Sequence, residues 1–240
     1  MLFRICSWIL CAAIWLGIGV SAEAQIILQT VILHFPAEAR PITNLTVYNT
    51  APEVFHVASR INKVENPGLP DEKTVPTDEV LVSPRNFTIP AKGSRAVRLI
   101  LKRQPGEIEG VYRVAFAPVE RSGEDDIPKP QGARGMAQIK VLTGMGALVF
   151  ATPINPRYEL SIERDRQRIA FSNRGNAQFA LLYGKACRKG REDCYDISGS
   201  RIYAGQTWEL KVPGDETVIY SKKEGPDGIE QELVVPPYKE

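Results

Sequence analysis

The chain has 240 residues, 43% of them hydrophobic and 24% charged, which suits one large or two ordinary globular domains and excludes a disordered chain. Its 30 Lys and Arg against 28 Asp and Glu leave a net charge of +2, so charge gives no reason to expect nucleic acid as a partner. Two histidines are too few for a histidine metal cage or general-base machinery, and 19 Gly with 18 Pro favour short elements joined by turns.

Residues 1–24 read as a cleavable export signal. Arg4 gives a basic start, Ile5 to Val20 an apolar core, and Ala22-Glu23-Ala24 a small-x-small cleavage pattern. That core is shorter than the roughly 20 residues that cross a bilayer, so no stable membrane insertion is expected. Cleavage removes Cys6 and Cys11 and leaves Cys187 and Cys194. An exported chain with two cysteines close in sequence most simply holds one disulfide. The intervening Arg-Lys-Gly-Arg-Glu-Asp is no redox or zinc spacing.

From Gln25 onward the pattern has period two and almost never 3.6. Leu45, Val47 and Asn49 alternate with Asn44, Thr46 and Tyr48; Phe55, Val57, Ser59 and Ile61 with His56, Ala58, Arg60 and Asn62. Val97, Leu99 and Leu101 enclose Arg98, and Tyr112, Val114 and Phe116 enclose Arg113. Such runs predict half-buried antiparallel strands. Turns fall at Asn66-Pro67-Gly68, Pro90-Ala91-Lys92-Gly93, Gln104-Pro105-Gly106 and Pro213-Gly214-Asp215. Two prolines in Ala151-Thr152-Pro153-Ile154-Asn155-Pro156 mark a joint. The expected domains are 25–152 and 153–240, each the size of one immunoglobulin-like sandwich. Within the first of them, Arg121–Gly135 is polar and rich in Gly and Pro and is expected to be a mobile loop joining two long strands.

The residues offer little chemistry. No nucleophile elbow, phosphate-binding loop or dinucleotide fingerprint occurs. His34, in Val31-Ile32-Leu33-His34-Phe35, is expected to be a hydrogen-bonded structural residue, and His56 to face solvent. Glu124, Asp125 and Asp126 fall in the loop and read as solvated charge. No enzyme, metal or cofactor is expected. Gly135–Phe150 is long for a strand, with Ala137, Ile139, Val141 and Thr143 on one face and Gln138 and Lys140 on the other. It suits either a central strand filling its own core or an edge strand whose apolar face serves a partner.

Three segments carry a resemblance to a known family: Val82–Leu99 (VSPRNFTIPAKGSRAVRL), Glu109–Val119 (EGVYRVAFAPV) and Ile169–Ala177 (IAFSNRGNA), the last followed by two nearby cysteines. The chain resembles the PapD-like periplasmic chaperones of the chaperone–usher pilus pathway, above all the divergent branch that serves colonisation-factor fimbriae. The resemblance implies an all-β protein of two immunoglobulin-like sandwiches in a boomerang arrangement. It implies a chaperone that captures fimbrial subunits one to one by donor-strand complementation and delivers them to an outer-membrane usher. Ala137, Ile139 and Val141, with Thr143 next, match the donor strand. Arg98 matches a position usually basic in the family, a candidate for structure or usher docking. In the best-known branch an arginine and a lysine of the cleft anchor the subunit's terminal carboxylate. Here those positions fall near Ile32 and Gly146, which leaves Lys140 or a neighbouring arginine to replace them. The competing readings are a fimbrial structural or adhesive subunit, another secreted immunoglobulin-like binding protein, and an exported hydrolase. Two domains and an internal donor strand argue against the first, and the shortage of histidines against the last.

Overall fold

The computed structural model describes residues 26–35, 41–119, 143–188 and 192–239. The export signal 1–24, the loop Arg121–Gly135, and Ala137, Ile139, Lys140 and Val141 lie outside the described residues. Every regular element among the described residues is a strand.

The first ten are β1 (Ile26–Leu28), β2 (Ile32–Phe35), β3 (Ile42–Asn49), β4 (Phe55–Glu65), β5 (Lys73–Pro76), β6 (Val80–Ser83), β7 (Asn86–Ile89), β8 (Ser94–Leu101), β9 (Gly110–Pro118) and β10 (Met145–Ala151). They build a four-stranded sheet, β1-β3-β8-β6, and a six-stranded one, β2-β10-β9-β4-β5, with β7 also pairing β4. The period-two pattern settles which side chains lie between the sheets. Leu45 and Val47 of β3 and Val97, Leu99 and Leu101 of β8 meet Phe55, Val57, Val114, Phe116, Ala147 and Val149 from the other sheet in one buried core. Their alternating neighbours, such as Arg98, Arg113 and Ala115, are exposed.

The remaining strands are β11 (Leu160–Arg164), β12 (Arg168–Asn173), β13 (Phe179–Arg188), β14 (Asp193–Ile197), β15 (Ser200–Ile202), β16 (Thr207–Lys211), β17 (Thr217–Glu224) and β18 (Gln231–Val235). They form a three-stranded sheet, β11-β12-β16, and a second sheet ordered β14-β13-β17-β18 with β15 also on β13. A separate core holds Ile169, Phe171, Phe179, Leu181, Val218 and Tyr220. Phe171 stacks on Trp208 at 5.6 Å between ring centroids and meets Tyr220 edge-on at 5.8 Å. The chain is thus two sandwiches in sequence.

A buried asparagine closes a corner of each. Asn49 donates to the carbonyls of Glu53 and Pro90 and accepts from the Ala51 N–H; Asn173 donates to Ala177 and Ile202 and accepts from Gly175. Cys187 and Cys194 face each other across β13 and β14 and are bonded. Of the long run Gly135–Phe150, the strand among the described residues is Met145–Ala151, and it is central. Thr143, just before it, is exposed.

Candidate functional site

β10 lies between two neighbours. It runs antiparallel to β9, with Met145 opposite Phe116 and Ala151 opposite Gly110, and parallel to β2 from Leu148 to Ala151. Met145, Ala147, Val149 and Ala151 face the first core. Gly146, Leu148 and Phe150 therefore belong to the outer face of the six-stranded sheet.

Cross-strand register orders that outer face into rows. Ile32 sits beside Leu148, Leu148 beside Arg113 and Arg113 beside Asn62; the next row runs Gly146, Ala115, Arg60. The positions where the family's best-known branch has its basic pair thus present an isoleucine, 38% exposed, and an exposed glycine. Two arginines occupy the same rows, each two strands further along, roughly 10 Å at ordinary strand spacing. Between Arg60 and Gly146 the floor is low, Ala115, and in the following row Ala117 stands opposite Ala58. Arg113 donates to Glu72 Oε1 at 2.8 Å, whereas Arg60 has no ion-pair partner among the described residues. Arg98 is elsewhere. It projects from β8 on the solvent side of the four-stranded sheet, so the structure does not bring it together with β10.

Below these rows the outer face meets the second sandwich. Phe150, Val64 and Val111 form a small buried cluster with Leu148 and Tyr203. His34 stacks on Phe150 at 5.1 Å, and the Arg201 guanidinium lies 4.9 Å from the same ring centroid while donating to Gln178 Oε1. Sequence suggested a hydrogen-bonded His34; instead its Nδ1 has no partner among the described residues, because the ring is held by stacking. Burial, aided by Arg201, pushes His34 down to about 4. His56, expected to face solvent, is half-buried and hydrogen-bonded to Thr88 at 3.0 Å, since β7 runs beside it.

The polar centre of the joint is Glu109, 9% exposed. Its carboxylate accepts from the Gln178 N–H at 3.0 Å and the Thr152 hydroxyl at 3.3 Å, and its own N–H donates to the Asn176 carbonyl. Burial pushes Glu109 up to about 7, against the opposing pull of those donors and of Arg201. The Asn176 side chain donates to the Glu107 carbonyl at 2.8 Å and to Asn155, and Gln206 donates to Pro67 at 2.7 Å. Sequence reasoning assigned no role to Glu109, Asn176, Gln178 or Arg201. The one signal was that Glu109 and Asn176 are polar residues inside two of the three segments that carry the resemblance.

Two sandwiches in series, with β10 ending the first at an interdomain joint, are the architecture expected of the pilus-assembly chaperones. The sequence profile described as "Pili and flagellar-assembly chaperone, PapD N-terminal domain" matches residues 25–153, and the chain belongs to that family. Among solved structures it is similar to the class 5 fimbriae chaperone CfaA, at 20% identity over 89% of this chain and 99% of that one, with a TM-score of 0.64. A chain from a chaperone–tip adhesin complex of CFA/I fimbriae biogenesis matches at 21% over 89% and 99%, TM-score 0.61. The periplasmic chaperone SfaE matches at 14% over 88% and 98%, TM-score 0.57. At such identities the likeness establishes the fold. No curated protein sequence matches the chain. The protein is a non-enzymatic chaperone of the chaperone–usher pathway.

Proposed function

We propose that this chain works in the periplasm, after loss of residues 1–24, capturing fimbrial subunits by lending Ala137, Ile139 and Val141, with Thr143 next, to an open groove in the subunit. The observation that carries this is parity. In the sequence those residues fall at odd-numbered positions, the parity that in β10 belongs to Met145, Ala147 and Val149, which fill the chaperone's own core. A strand that kept this parity before β10 would pass the end of β9 at Pro118 and offer its apolar face to a guest core that continues the host core. Burying three aliphatic side chains at about 25 cal/mol per Å2 supplies several kcal/mol before ordering costs, with no need for ATP. Two similar structures support the partner class and compartment by their descriptions, a chaperone–tip adhesin complex and a periplasmic chaperone. Delivery to an outer-membrane usher completes the reading.

The subunit's terminal carboxylate is anchored by Arg113 and Arg60. They flank a floor of Gly146 and Ala115 low enough for an extended chain to lie across it, and a guanidinium grips a carboxylate through two parallel N–H groups. Co-purification of subunit with chaperone variants tests both parts. Arg60→Ala with Arg113→Ala should lower yield at least tenfold while leaving the melting temperature within a few degrees, because neither side chain is buried. Wild-type yield from the double variant would remove the arginines from the site; wild-type yield from Ile139→Asp or Val141→Asp would remove the donor strand.

A further inference from the structure

The joint between the sandwiches is closed by side-chain amides, aromatic packing and one carboxylate. Asn176 on Glu107 and Asn155, Gln206 on Pro67, and Phe150 against Tyr203 do not change with pH in the range where proteins work. Glu109 does. It stands at the start of β9 in the first sandwich, and both donors to it lie across the joint or in the link: the Gln178 N–H at the head of β13 and the Thr152 hydroxyl. A carboxylate this enclosed is covered only while the second sandwich stays down.

We propose that Glu109 is a proton-operated latch: neutral, it lies dry beneath the second sandwich, and ionised, it draws water into the joint and frees the two sandwiches to move. The groups around it favour no other seat for the charge. Arg201, on β15, is the cation facing it, but that guanidinium is already engaged with Gln178 and the Phe150 ring. The phenols of Tyr158 and Tyr203 face it and stay neutral. Glu224 and Asp227 act on Tyr158, and Asp227 and Lys223 on His34, beyond the latch itself.

Linkage gives the direction. In the closed joint Glu109 holds its proton up to about pH 7, and in an open, hydrated joint it returns toward its ordinary 4.5. Protonation therefore favours closure, and raising the pH through that interval shifts the closing equilibrium toward opening by up to about 300-fold.

The test uses the full chain with spin labels on unnatural amino acids at Arg95 and Lys211, exposed positions in the first and second sandwich. Pulsed dipolar distances are read from pH 5.5 to 8.5. The wild-type distribution should be narrow at pH 5.5 and broaden as pH passes 7. Glu109→Gln, a neutral isostere, should stay narrow throughout. A wild-type distribution that does not change with pH overturns the latch, and so does broadening that persists in Glu109→Gln. Carbon-13 titration of the wild-type Glu109 carboxyl needs no variant: a midpoint near 4.5 also overturns it.

Discussion

Asn173 shows how much one buried side chain can hold. Its amide serves three backbone groups at 2.9–3.0 Å, and Asn173→Ala would leave Ala177, Ile202 and Gly175 without those partners. At about 1–3 kcal/mol for each unsatisfied buried group, the variant should lose roughly 3 kcal/mol or more, read as a lower urea midpoint at unchanged slope. Glu109 and His34 make a subtler pair. Unfolded, Glu109 releases its proton near 4.5; folded, near 7, so its contribution to stability is full at low pH and is lost as pH rises between those values. Unfolded His34 takes a proton below 6.5 but the folded ring resists to about 4, so its contribution is full above 6.5 and is lost as pH falls. From 4.5 to 6.5 the two slopes oppose each other. Wild-type stability across that window should be nearly flat. Glu109→Gln should then lose stability on acidification, and His34→Gln should gain it, by urea midpoints at pH 4.5, 5.5 and 6.5. Parallel profiles for both variants would contradict the assignment.

Among the elements, β10 has two readings that sequence left open, and its described part decides one of them. Met145–Ala151 fills its own core, with Ala147 and Val149 fully buried. Val149→Asp should therefore unfold the first sandwich, whereas Val141→Asp should leave the melting temperature unchanged and abolish subunit capture. β3, β4, β8 and β9 were legible because each buries one face and wets the other, which writes period two into the residues. The joint was not legible. Glu109 and Gln178 are 69 residues apart, and Glu109 is buried only because two sandwiches meet over it. The arginine rows were hidden for a similar reason, since register between β2, β10, β9 and β4 places Arg113 and Arg60 in the rows of the expected cleft positions, two strands along. The cysteine pair, by contrast, needed only its count and spacing. Its short loop implies about 2–3 kcal/mol, so replacing both residues by Ala should lower the second sandwich's stability by that amount with subunit yield unchanged.

Across the whole molecule, the contacts described between the two cores include Phe150 against Tyr203 and Arg201, the Gln206–Pro67 bond and the hydrogen bonds around Glu109 and Asn176. Tyr203→Ala removes the ring that faces Phe150 at 6.4 Å and should separate the unfolding of the two sandwiches, visible in calorimetry as two transitions further apart than in wild type. The placement of β10 bears on forces as well as on equilibria. Seven residue pairs tie it to β9 and four to β2, all lying along the strand rather than at one end. A pull along the strand axis, such as a subunit held by the preceding residues would transmit on the proposed reading, loads every one of those bonds in shear at once. Peeling a guest strand sideways breaks its own bonds one at a time and leaves the host untouched. On the proposed donor-strand reading, release under load is therefore expected to be a stepwise unzipping of the guest that leaves β10 paired on both sides.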